Sequence, residues 1–177
     1  SEEDELRKLL EELRRRSKEV NDRLRKLHDE LRRRVEDLKR KLRELHKEAA
    51  KIVEEMKARG TPEEKLRELE KSLEDHNRDL KRVEDEIDDK LRRHNEILKE
   101  VHKRDRDSLR RIEEEVRRRG ASDKVLEDLR RLVEENTRRL EEMLKRSEKI
   151  ARDLLEDVKR FLDESKKKID TLRRRAE

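Results

Sequence analysis

Cysteine is missing from this chain, which removes disulfide frameworks and thiolate metal sites and leaves the redox compartment undefined. Tryptophan and tyrosine are missing too, and phenylalanine occurs once, so the aromatic platform on which successive nucleic-acid bases would stack is missing. No apolar run approaches the roughly 18 residues of a membrane span. The first residues, Ser1-Glu2-Glu3-Asp4, are acidic where a secretory signal would be basic and then apolar. The expectation is a soluble protein that needs no membrane at neutral pH. Glycine occurs twice and proline once, so almost nothing interrupts a helix.

What remains is 59% charged and 28% hydrophobic, a balance that at first resembles a disordered polyelectrolyte. The signs argue otherwise: 55 basic and 50 acidic residues nearly cancel, leaving +5, and they are interleaved rather than blocked. Leu, Glu, Lys and Arg dominate, all strong helix formers. Such a composition suits long helices that each bury a narrow stripe and solvate the rest.

The rare glycines divide the chain into thirds. Arg59-Gly60-Thr61-Pro62-Glu63-Glu64 supplies a glycine to end one helix, a threonine cap, proline at the first helical position and a glutamate at the third. Arg119-Gly120-Ala121-Ser122-Asp123 repeats the logic with a serine cap. Three helices follow, about 2–59, 62–119 and 122–176, each about 85 Å long at 1.5 Å per residue. Loops this short force antiparallel neighbours. The fold expected is therefore all-α, a single-chain up-down-up three-helix bundle forming one domain over residues 1–177.

In the first helix the apolar stripe closes on itself every 18 residues, which is five turns at 3.6. A strict heptad would impose a left-handed supercoil, whereas this period predicts long, nearly straight helices. The same ruler separates His28 from His46, His76 from His94, Asn77 from Asn95 and Ser147 from Ser165.

Folding the chain about its two glycines gives a pairing rule. Facing residues of helices one and two should have numbers adding to about 122, and those of helices two and three to about 241. The rule joins His28, His94 and Ser147 in one layer, with Asn95 at its edge. It joins His46, His76 and Ser165 in a second, with Asn77 at its edge. A third polar layer holds Ser17, Asp105 and Asn136, with His102 one turn before Asp105. Dry layers fall elsewhere, among them Leu13/Leu109/Leu132, Val35/Ile87/Leu154 and Leu42/Leu80/Phe161. One period outward from His28 the layer is entirely hydrocarbon, Leu10/Ile112/Leu129. Substitution is all or none by layer, as expected when a buried polar group without a partner costs about 1–3 kcal/mol.

The glycine-capped loops, the Glu/Lys/Arg surface, the absence of Cys and Trp and the duplicated His-His-Asn-Ser layers together resemble de novo designed, parametrically built helical bundles with buried hydrogen-bond networks. The resemblance spans the whole chain. It implies no evolved function, no natural localisation beyond the cytoplasm of a recombinant host, and no enzymatic activity. Some bundles of that class use buried histidines as proton-triggered switches, and His28, His46, His76 and His94 are the matching positions. Those bundles are often symmetric oligomers of hairpins, whereas this chain reads as self-contained. Spectrin-like natural three-helix domains are the alternative, but they are shorter and usually carry a core tryptophan.

Other chemistries fit less well. Two imidazoles with Ser and Asn lack a third strong ligand, so no metal is expected, and filled neighbouring layers leave no cavity for haem or another cofactor. Ser17, Asp105 and His102 resemble a nucleophile with its base, but a straight helix consumes the backbone N–H groups an oxyanion hole would need, so no catalytic residues are assigned. Arginine triplets at 14–16, 32–34, 117–119 and 173–175 invite nucleic acid, yet each is flanked by acids, and solvated ion-paired faces account for them without a specific nucleic acid partner.

Two readings of the layers stay open. Protonation converts an imidazole acceptor into a donor, so buried histidines would bind protons less readily than the ~6.5 of the unfolded chain and stability would fall in acid. Four fully suppressed histidines would lose at most roughly 8 kcal/mol between pH 6.5 and 5. Alternatively the chain is an inert scaffold, or an assembly module with an oligomeric or designed partner, and its networks only specify helix register. The core consumes most of the apolar stripe, so a monomer is expected and no partner is required.

Overall fold

Two glycines in the left-handed region, Gly60 at φ 79° and Gly120 at φ 70°, set the helix boundaries in the computed structural model, which describes residues 1–177. The three helices are α1 (Glu2–Ala58), α2 (Glu63–Arg119) and α3 (Asp123–Ala176), within one residue of the expected ends. Each opens on acidic residues and closes on basic ones, complementing the helix dipole.

The glycines stop their helices in different ways. At the first turn the Gly60 N–H donates to the Lys57 carbonyl and the Thr61 N–H to the Met56 carbonyl, both at 3.2 Å, the paired bonds of a Schellman cap. At the second a single bond runs from the Gly120 N–H to the Val116 carbonyl at 2.9 Å. Ser122 caps α3 as expected, its hydroxyl accepting the Val125 N–H at 3.3 Å. Thr61 does not cap α2 through its side chain. It closes α1 instead, and the first bond of α2 runs from the Leu66 N–H to the Pro62 carbonyl at 3.1 Å.

The helices pack against one another as a three-helix bundle with no strand. Their packing resolves two compact units, Ser1–Asp29 with Arg92–Ala151 and Glu30–Leu91 with Arg152–Glu177, to each of which all three helices contribute. In the first unit Leu6, Leu13, Ile112, Val125, Leu126, Leu129 and Val133 form one apolar cluster, with Leu10, Leu109 and Leu132 packed against it. The two dry layers expected there thus fall in one cluster. Leu24, Val101, Leu140 and Leu144 form another. In the second unit Val53, Met56, Leu66 and Leu69 cluster together, and Val35, Leu42, Leu80, Ile87 and Leu154 are buried. Each fully buried aliphatic side chain contributes roughly 1.5–3 kcal/mol, and no large hydrophobic side chain is left exposed.

Polar contacts record the register. Ascending α1 in the first unit, Arg14 meets Glu113 (3.2 Å), Asn21 meets Asp105 (2.8 Å) and His28 meets His94 (2.8 Å). In the second, Lys39 meets Asp88 (2.8 Å), Arg43 meets Glu84 (3.0 Å) and His46 meets His76 (3.4 Å). Numbers rise on α1 as they fall on α2, so these helices are antiparallel in both units. No helix is long and apolar enough to cross a membrane.

Candidate functional site

The 18-residue ruler delivers two copies of one wiring. In the first unit the His28 and His94 Nδ1 atoms lie 2.8 Å apart, and His94 Nε2 lies 2.5 Å from the Ser147 hydroxyl. In the second the His46 and His76 Nδ1 atoms are 3.4 Å apart, and His76 Nε2 is 2.9 Å from the Ser165 hydroxyl. In both pairs the ring planes are nearly parallel, at 9° and 17°, and the rings meet edge to edge, with centroids 5.0 and 5.7 Å apart. In each case the α2 histidine is the buried middle member and the α1 histidine is half-buried at the edge.

Hydrogen-bond accounting assigns the protons. Thr171 sends its hydroxyl proton to the Lys167 carbonyl one turn back at 3.0 Å, but neither Ser147 nor Ser165 donates to a carbonyl. Each serine therefore donates to the α2 imidazole Nε2. That imidazole carries its proton on Nδ1 and donates it to Nδ1 of the α1 histidine, which holds its own proton on Nε2. The chain runs Ser, His, His from α3 through α2 to α1, and every Nδ1–Nδ1 contact holds one proton.

One extra proton fits this wiring. If it enters at the α2 Nε2, the serine turns from donor to acceptor and the other bonds survive. A second would place hydrogens on both Nδ1 atoms and break the contact. Burial opposes even the first. It pushes His94 down to about 4, with the charge of a protonated His28 adding to the effect and the backbone of Ser147 acting the other way. His76 is lowered by burial, then by His46 and Lys168, with Asp79 opposing; His46 is lowered by burial.

Asn77 and Asn95 are half-buried beside these layers, and neither takes part in the Ser-His-His bonds, which run through the α2 Nε2 and the paired Nδ1 atoms. The third layer differs from expectation. Asp105 accepts from Asn21 at 2.8 Å, while Asn136 accepts from Ser108 at 3.2 Å, so two separate bonds replace one network. Ser17 Oγ, Asp105 Oδ1 and Asn136 Nδ2 are buried without a partner, which breaks the rule that buried polar layers are fully paired. His102 lies on the exposed side of α2, one step beyond the buried Val101, and is no partner of Asp105.

No family model, curated protein or solved structure matches this chain.

Two features went unnoticed in the sequence. Asn21 and Ser108 each sit one turn beyond a layer residue, at a flank that spacing alone does not separate from solvent. Lys39 is only 8% exposed, its ammonium 2.8 Å from Asp88. The available signal was its place between Val35 and Leu42, both fully buried on the same face. The arginine triplets engage acids at Arg14–Glu113, Arg34–Glu30, Arg118–Glu115 and Arg173–Glu48. No three His, Asp or Glu side chains converge to hold a metal ion.

Proposed function

We propose that this chain is a designed structural bundle, without catalytic activity, whose paired histidine layers make its stability fall in acid. The observation that carries the reading is the fully buried His94, held between His28 and Ser147 and pushed down to about 4. Because its folded pKa lies below the ~6.5 of the unfolded chain, the unfolded state binds more protons in acid. Its contribution is complete above pH 6.5 and drains away as pH falls toward 4, a loss of about 3 kcal/mol. His76 and His46, lowered in the same direction, add losses of the same sign.

Chemical unfolding tests this. The guanidinium midpoint should be lower at about pH 4.5 than at about pH 7.5. Coincident midpoints would leave the second reading, in which the layers only lock helix register. That reading is favoured by the pairing itself, since the same Ser-His-His order recurs in both units and each copy fits one helix alignment.

A further inference from the structure

Grooves between the helix ends differ sharply in charge. One is lined by Glu48, Glu55 and several cations, with Arg173 paired to Glu48. Another has Glu115, Asp128 and Glu135, with Arg119 bonded to the first two at 3.2 and 3.4 Å. The groove beside His76, about 210 Å³ in volume, has no carboxylate in its lining, although 50 of the 177 residues are acidic. Its apolar wall is Leu69, Leu73, Ile169 and Leu172, and its only charged side chains are Lys168 and Arg175. Neither cation forms an ion pair, on a surface where each of the four arginine triplets supplies at least one.

The cations act on the same space as the imidazole. Lys168 of α3 and His46 of α1 both disfavour a charged His76, and Asp79 on its own helix is the one acid opposing them, while Ser165 fills its Nε2. An anion entering the groove would relieve this unbalanced positive field. A hydrocarbon chain attached to it would cover the leucines.

We propose that this groove is a binding site for a small amphiphilic carboxylate, with its head group on Lys168 and Arg175 and a short aliphatic tail along Leu69, Leu73, Ile169 and Leu172. Arginine's planar fork matches a carboxylate in two hydrogen bonds and lysine adds a point charge. The volume falls below the roughly 300–1,000 Å³ of sites for drug-sized ligands, which limits the tail to a few carbons. By reciprocity an anion bound here raises the proton affinity of His76, and protonation of His76 tightens the anion. The site goes beyond the acid response proposed above, because binding is expected at neutral pH whether or not the bundle loosens in acid.

The test is an amide NMR titration of the whole protein at about pH 7 with sodium hexanoate, with acetate and hexylammonium as controls. Hexanoate should give saturable shifts confined to residues 69–76 and 168–175, and neither control should. The double variant Lys168→Gln/Arg175→Gln changes only exposed side chains, and the same spectra check its fold; it should weaken hexanoate roughly tenfold or more. Absence of saturation, equal binding of hexylammonium, or unchanged hexanoate affinity in the double variant would each overturn the proposal.

Discussion

A single proton shared between two Nδ1 atoms defines the chemistry at the residue scale. Ser147 matters because it supplies the donor that holds His94 in the tautomer able to reach His28. Ser147→Ala should cost about 1–3 kcal/mol near pH 7.5, read as a drop in the guanidinium midpoint, because it strands a ring nitrogen in a fully buried site. The third layer behaves oppositely. With three buried atoms unpartnered, combining Ser17→Ala, Asp105→Leu and Asn136→Leu should raise the midpoint, since a half-satisfied polar layer is worse than hydrocarbon. The histidine–serine sets were legible in the sequence because one pairing rule brought complementary groups together twice. Asn77 and Asn95 shared the ruler without joining the Ser-His-His bonds, since spacing places a residue on a face but does not fix its hydrogen-bond partners. His102 misled for a related reason: three residues from Asp105 is contact distance on a helix, yet it falls just outside the buried stripe.

Elements were the most legible level, because two glycines in an otherwise unbroken helical sequence leave few alternatives for where a helix ends. What the sequence did not disclose is how adjacent caps divide the work. In the four-residue turn between the helices Thr61 cannot be read as belonging to α1 or α2 from its type, and it serves α1 through its backbone. Substitution separates the two roles. Ser122→Ala should cost about 1 kcal/mol, since it removes a side-chain cap, whereas Thr61→Ala should stay within about 0.5 kcal/mol because its backbone N–H remains. Equal losses on denaturant unfolding would mean that the Thr61 hydroxyl caps α2 after all.

Across the whole molecule, acid acts on much more than histidine. Fifty carboxylates balance 55 cations, and neutralising them in acid removes surface ion pairs and leaves the chain strongly positive. The histidine share is isolated by replacing His28, His94 and Ser147 together with leucine, as the hydrocarbon layer Leu10/Ile112/Leu129 already shows is compatible with one period of the bundle. The variant should lose less stability than the parent between about pH 6.5 and 4, and an identical pH slope would assign the acid response to carboxylates. The molecule also carries its own place for an optical probe. Its one aromatic side chain outside the histidines, Phe161, stacks on His76 with centroids 5.9 Å apart and planes 7° from parallel. With no tryptophan or tyrosine elsewhere, the protein has no intrinsic fluorescence to mask a reporter. A tryptophan at 161 would emit against an imidazole in one unit only, so light from it would follow the His46–His76 layer while the His28–His94 layer stayed dark.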